Sequence, residues 1–255
     1  MDNRPIGIFD SGMGGIAVLK VAKDILCHEN FIYFGDNKNA PYGIKTKEEI
    51  FDLSKACVDF LIEKNVKAIL IACNTATGVS VKRLREMYPI PFVSMEPAVK
   101  VGLKNCHGGK VLVMATPATL RQEKYKNLVS RLNANDYVID MPCEGLAALI
   151  EKGVWDGPIL EEYLFDKLYS IKNTVIDSCV LGCTHYTFVK PTIDKVLSSF
   201  DQSPLIVDGS EGTARHLKNI LEEKNMLSST NQHQRIDIYS SDEDMLPILK
   251  TALYS

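Results

Sequence analysis

Two of the seven cysteines in this chain sit where a thiol could do chemistry. Cys73 ends the run Ile69-Leu70-Ile71-Ala72 and is followed by Asn74-Thr75; Cys183 ends Val180-Leu181-Gly182 and is followed by Thr184-His185. In both places an apolar run gives way to polar residues and then to a helical pattern. A cysteine between a strand and a helix lies in the positive field of the helix N-terminus, which favours thiolate over thiol. The structural alternative for either cysteine alone is an inert buried residue. Two in matching contexts, 110 residues apart, point instead to paired function. Inverting a carbon centre needs one base to take a proton from one face and one acid to deliver a proton to the other, and two matched thiols meet that need.

The other cysteines give less. Cys57 and Cys179 read as core, and Cys27, Cys106 and Cys143 carry no catalytic expectation. The C-x₃-C pair Cys179/Cys183 has no second Cys/His pair nearby, so no metal site is expected. No C-x-x-C redox motif occurs, and the odd cysteine number with irregular spacing argues for free thiols in a reducing compartment.

Other polar clusters also fall at the ends of apolar runs, where open α/β sheets bind ligands. Asp10 and Ser11 precede Gly12, Gly14 and Gly15, and the carboxylate there suits a cationic amino group. Gly12, Gly14 and Ala17 also satisfy G-x-G-x-x-A, with Asp36 further on, so a dinucleotide or small-ligand binder is a competing reading. Pro41-Tyr42-Gly43 reads as a rigid loop with a phenol at its tip, offering N–H groups and a hydroxyl to a carboxylate. Asn74, Thr75, Thr116, Thr119 and Thr184 offer short donors, although each threonine taken singly reads as a helix cap. His185 could tune the proton affinity of Cys183. Glu151, at the end of an apolar helix, reads on its own as solvated.

The elements that must position these groups alternate. Strand-like runs fall at 5–10, 30–35, 67–73, 91–95, 110–115, 136–141, 177–182, 205–208 and 235–240. Helical patterns fall at 16–27, 47–64, 78–87, 120–132, 145–152, 158–171, 188–198, 212–224 and 243–253, with an irregular first turn expected near Pro247. Near-continuous apolar strands alternating with helices imply parallel sheets covered on both faces. The echo between the two cysteine segments suggests two pseudo-symmetric lobes.

With a net charge of −3 and a sequence pI of about 6.0, the chain has no basic field for nucleic acid or a membrane surface. No apolar run is long enough to span a bilayer. No leader of secretory type is evident, so a cytoplasmic location is expected.

Together these residues resemble the glutamate racemase family, of the aspartate/glutamate racemase superfamily. The resemblance rests on Gly7 to Gly15, on Gly35-Asp36 with Pro41-Tyr42-Gly43, on Ala72-Cys73-Asn74-Thr75-Ala76, and on Leu181-Gly182-Cys183-Thr184-His185, in order along the chain. It implies an α/β fold of two doubly wound, pseudo-symmetric lobes with mainly parallel sheets and the active site in the cleft between them. The first lobe would comprise 1–95 and 210–255 and the second 96–209. It implies cofactor-independent interconversion of L- and D-glutamate, with Cys73 deprotonating the D-enantiomer and Cys183 the L-enantiomer. Asp10, Glu151 and His185 would assist proton handling. Ser11, Pro41, Tyr42, Gly43, Asn74, Thr75, Thr116, Thr119 and Thr184 would contact substrate. The stretch Met141 to Leu146 departs from the family pattern, which loosens the alignment of Glu151. An N-terminal extension of the kind some members use for activation is not expected here. The family implies D-glutamate supply for peptidoglycan and often a homodimer. A racemase of aspartate or another amino acid would use the same thiol chemistry, and the cysteines do not separate the two.

Overall fold

The computed structural model describes residues 1–96, 98–229 and 233–254. In chain order the elements are β1 (Ile6–Asp10), α1 (Gly15–Ile25), β2 (Phe31–Gly35), α2 (Lys47–Glu63), β3 (Ala68–Ile71), α3 (Asn74–Met87), β4 (Phe92–Ser94), α4 (Val99–Lys104), β5 (Lys110–Ala115), α5 (Pro117–Arg121), α6 (Glu123–Arg131), β6 (Val138–Pro142), α7 (Leu146–Glu151), α8 (Pro158–Leu168), β7 (Ile176–Leu181), α9 (Lys190–Ser198), β8 (Leu205–Asp208), α10 (Ser210–Glu223), β9 (Ile236–Ser240) and α11 (Leu246–Tyr254). The chain divides into two compact units, Met1–Glu96 with Ser210–Ser255, and Pro97–Gly209.

The first unit is built on a five-stranded sheet in the order β4-β3-β1-β2-β9, with every pairing parallel. Parallel neighbours need crossovers, and helices supply them on both faces. β1 and β3 are buried along their whole length because both faces are covered. One face packs Phe9, Ile69 and Ile71 against Phe51, Val58 and Leu61 of α2. On the other, α1 lies against α10 and α11. Each such aliphatic side chain contributes about 1.5–3 kcal/mol relative to exposure. α2 begins with a capping box, in which Thr46 and Glu49 satisfy each other's backbone N–H groups. At the amino ends of the strands, Lys67 is fully buried. It pairs with Glu29 at 2.6 Å and donates to the carbonyls of Asp2 and Met226 at 2.6 and 2.7 Å.

The second unit carries a four-stranded parallel sheet, β6-β5-β7-β8. Val111, Val113 and Val180 pack with Leu120, Tyr125 and Val129 from α5 and α6. Gly102 lets α4 lie close to this sheet. A Cβ there would meet Val111 Cγ1 and Val180 Cγ2, each at 2.9 Å.

All nine expected strands form, with ends shifted by a residue or two. Several helical expectations need correction. The pattern at 120–132 is two helices, because Gln122 takes an extended conformation between them. α3 starts at Asn74 rather than Gly78, because Cys73 itself is the N-cap. A 3₁₀ segment, Thr184–Val189, precedes α9, and another, Glu243–Met245, precedes α11. The latter is the irregular start expected near Pro247. α4 was not anticipated at all. Among the described residues, no helix is long and apolar enough to cross a membrane.

Candidate active site

In each unit the candidate residues gather at the carboxyl ends of the strands. In the first unit, the Ala72 N–H donates to Phe9 O at 2.8 Å, extending the β1–β3 pairing one step and bringing Cys73 out beside the end of β1. Cys73 then caps α3. Its sulfur accepts the Ala76 N–H at 3.4 Å, and its thiol donates to Ser11 Oγ at 3.3 Å. Thus the helix N-terminus expected from sequence does reach the sulfur. Asp10 is fully buried, and its carboxylate accepts the Gly12 N–H at 2.9 Å. The carboxylate folds the Ser11–Gly14 turn around itself, while the Tyr33 hydroxyl holds Gly12 O at 2.7 Å from below. Gly15 must be glycine here, since a Cβ would lie 2.6 Å from Asp10 Cβ.

The Pro41–Gly43 loop differs from its expected form. The Tyr42 phenol does not stand at a loop tip; it is buried, and its hydroxyl donates to Asp36 Oδ2 at 2.6 Å. Asn39 Nδ2 donates to the same carboxylate at 2.9 Å. Burial first, and the neighbouring Cys57 and Asp36 after it, push the phenol well up from its usual range, so the hydroxyl stays protonated. Tyr42 therefore anchors the loop from inside, leaving Pro41 and Gly43 half-buried on it. Cys57 lies behind the phenol at 3.8 Å, its thiol also pushed up by burial. Asn74 and Thr75 open α3 immediately after Cys73, Thr75 buried and Asn74 half-buried.

In the second unit, the Gly182 N–H donates to Met114 O at 2.7 Å, and Cys183 follows at the end of β7. A Cβ on Gly182 would lie 2.8 Å from Ala115 Cβ, so only glycine lets β7 run this close to β5 before the cysteine. Cys183 Sγ lies 3.7 Å from His185 Nδ1, and His185 Nε2 lies 2.5 Å from Glu151 Oε1. Glu151 is thus not the solvated residue its local sequence suggests. It is the last residue of α7 and reaches the imidazole from the far side. Burial alone would push the His185 imidazole down. Its hydrogen bonds to Cys183 and Glu151, and their negative charges, outweigh burial and hold it well above its usual range. Thr116 caps α5, accepting the Thr119 N–H at 3.2 Å and donating to Thr119 Oγ1 at 3.0 Å. Thr184 is buried beside Cys183.

The first unit therefore assembles Asp10, Ser11, Pro41, Tyr42, Gly43, Cys73, Asn74 and Thr75, and the second holds Thr116, Thr119, Glu151, Cys183, Thr184 and His185. Cys57 and Cys179 are core, as read. Sequence reasoning missed the supports. Asp36 holds Tyr42, and Tyr186 donates to Cys143 O at 3.2 Å just before α7. Burial pushes the Cys143 thiol up to about 12, so it remains neutral. The adjacency of Tyr186 to His185 was the available signal for that tyrosine. Among the described residues, no group of three or more Cys, His, Asp or Glu side chains could hold a metal ion.

A buried thiol at the end of a parallel strand, backed by polar groups able to exchange a proton, can act as an acid or a base. Comparison with known proteins gives this arrangement a family. The Asp/Glu/Hydantoin racemase family model matches residues 17–217. A glutamate racemase of Clostridium botulinum (strain Alaska E43 / Type E3) is 46% identical over 256 residues, covering 99% of this chain and 98% of that protein. One from Clostridium perfringens is 47% identical over 245 residues, covering 96% and 93%. The crystal structure of glutamate racemase from Francisella tularensis in complex with D-glutamate matches with a TM-score of 0.84 at 32% identity, covering 100% of this chain and 95% of that one. From its residues, its two parallel sheets and these matches, this chain belongs to the Asp/Glu/Hydantoin racemase family, among the glutamate racemases, and is an amino-acid racemase.

Proposed function

We propose that the chain interconverts L- and D-glutamate by proton transfer at Cα, using Cys73 and Cys183 as two bases and no cofactor. What carries this reading is the likeness of place between the two thiols. Each follows the last residues of a central parallel strand and has its own proton-handling neighbours: Ser11 and the α3 N-terminus for Cys73, His185 with Glu151 for Cys183. One thiolate removes the α-proton from one face of Cα. The electron pair left behind is delocalised into the α-carboxylate, and the other thiol delivers its proton to the opposite face. Cys73 acts on D-glutamate and Cys183 on L-glutamate, and the roles exchange with direction. Asp10, buried at the end of β1, assists proton handling, and its carboxylate suits the substrate ammonium. The N–H groups and hydroxyls around Ser11, Pro41–Gly43, Asn74, Thr75, Thr116, Thr119 and Thr184 suit its carboxylates. The reading extends to a cytoplasmic role in supplying D-glutamate for peptidoglycan.

The test is incubation of the purified protein with L-glutamate in D₂O without added cofactor, following optical rotation and α-deuterium together. Loss of rotation with deuterium at Cα is expected. Aspartate turned over far better than glutamate in the same assay would overturn the substrate assignment. One methylene separates the two by about 1–3 kcal/mol, so the ratio should be read over at least a tenfold range.

A further inference from the structure

Glu151 and His185 come from elements 34 residues apart in sequence, and a hydrogen bond of 2.5 Å between them tolerates little drift. Something must fix the end of α7 against the 3₁₀ segment Thr184–Val189. Trp155, the chain's single tryptophan, touches both. Its indole Nε1 donates to Ile150 O at 2.9 Å, the carbonyl one residue before Glu151. Its ring lies against Phe188, three residues past His185, with centroids 5.9 Å apart and planes tilted by 32°.

The position of that N–H matters. The last carbonyls of a helix lack partners within the helix and fray unless they are bonded from outside. The Gly153 N–H also reaches Ile150 O, at 3.0 Å, but belongs to the same terminal turn and would fray with it. Trp155 ties the turn to a different element. The other end of α7 is already held, with the Tyr186 and Tyr163 hydroxyls donating to the carbonyls of Cys143 and Glu144 at 3.2 and 2.8 Å. Glu151 sits at the end that the indole ties to Phe188, beside the Val154 N–H, which reaches Leu149 O at 3.1 Å.

We propose that Trp155 is a positioning residue for the Glu151–His185 pair and, through it, for proton transfer at Cys183. This rests on the reading that the pair governs proton handling at that thiol. Trp155→Phe removes the N–H and keeps an aromatic ring for Phe188, so it separates the hydrogen bond from packing. Phe188→Leu is the second variant, used if the first does not fold, and Glu151→Gln is the reference.

Three readouts test the proposal. In ¹H–¹⁵N spectra the far-downfield His185 Nε2 proton should move upfield or broaden in Trp155→Phe. The rate kcat for L-glutamate should fall about three- to tenfold with KM little changed, the scale of one lost hydrogen bond, and its pH profile should move in the same direction as in Glu151→Gln. In the Glu151→Gln background the tryptophan change should add less than about twofold, because the two residues act as one unit. An unchanged Nε2 resonance and pH profile, or effects that simply multiply in the double variant, would overturn the proposal. If Glu151→Gln itself leaves rate and pH profile unaltered while Trp155→Phe still moves the resonance, the placement of the pair by Trp155 stands and the reading beneath it falls.

Discussion

Cys73 and Cys183 occupy equivalent places in two parallel sheets, yet their surroundings differ in kind. The contacts at Cys73 Sγ include a hydroxyl and a backbone amide at a helix N-terminus, both neutral groups. Cys183 is followed by a 3₁₀ segment instead of an α-helix, and no side-chain cap bond ties its sulfur to that segment. It faces an imidazole that is itself backed by a carboxylate. Chemistry that treats two mirror-image substrates alike therefore does not need like partners. On the proposed two-base mechanism it needs only that each sulfur exchange a proton with Cα at comparable cost. On that mechanism a helix N-terminus contributes at one site and a carboxylate-backed imidazole at the other.

Thermodynamics constrains how such a difference can show. L- and D-glutamate have equal free energies in water, so kcat/KM must be the same in both directions for the parent and for every variant. Unequal sites can appear only in kcat and KM taken separately, in pH dependence, and in isotope exchange. The largest expected effect comes from removing a sulfur. Cys73→Ala and Cys183→Ala should each lower racemisation by about 10³-fold, the scale of a lost acid–base group. In D₂O, Cys183→Ala should still incorporate deuterium into D-glutamate without inversion, and Cys73→Ala into L-glutamate. The reverse pattern would exchange the two assignments. Full racemisation by either variant would end the two-base mechanism.

The next effect tests the Cys183 side, where, against burial, Cys183 and Glu151 hold the neighbouring imidazole above its usual range. His185→Asn should lower kcat/KM by about 10- to 100-fold, at or below the low end of a group that itself transfers a proton. The pH sign follows from the raised imidazole. A histidine whose folded value exceeds its unfolded value of about 6.5 contributes its full stability below that pH, and loses it as pH rises through the folded value. The parent should therefore be more stable than His185→Asn in mild acid, with the gap closing above neutrality. Denaturant midpoints across that window measure it, and a gap that widens with pH would show the imidazole to be buried neutral.

How much of this was legible beforehand follows the range of the interactions. The two cysteines were, because an apolar run ending in Cys-Asn-Thr or Cys-Thr-His is a local signal of a strand meeting a helix. The interior strands were, because burial on both faces leaves continuous apolar runs; β6, β8 and β9, which are only partly covered, were legible from short apolar runs alone. α4 was not, since Gly102 breaks its helical pattern and the reason for that glycine, the approach to Val111 and Val180, lies in distant strands. Glu151 was singled out only by the resemblance, its local sequence reading as solvated, for the same cause. Its partner is 34 residues away, and nothing adjacent marks the end of α7 as buried chemistry. Tyr42 was placed in the right loop but facing outward, because its partner Asp36 was read only as part of a fingerprint.

The smallest expected effect tests the hydroxyl contact at Cys73. Ser11 accepts the Cys73 thiol at 3.3 Å, a contact with sulfur and without formal charge. Removing it in Ser11→Ala should lower kcat/KM only about threefold, the low end of what one hydrogen bond contributes. If Ser11 acts on the thiol, the loss should fall in kcat. If it holds the substrate instead, KM should rise by the same factor with kcat unchanged. A loss beyond 100-fold would mean that the hydroxyl lies in the proton path. Cys73 would then have a partner as active as His185, and the difference between the two sites would be one of residue type alone.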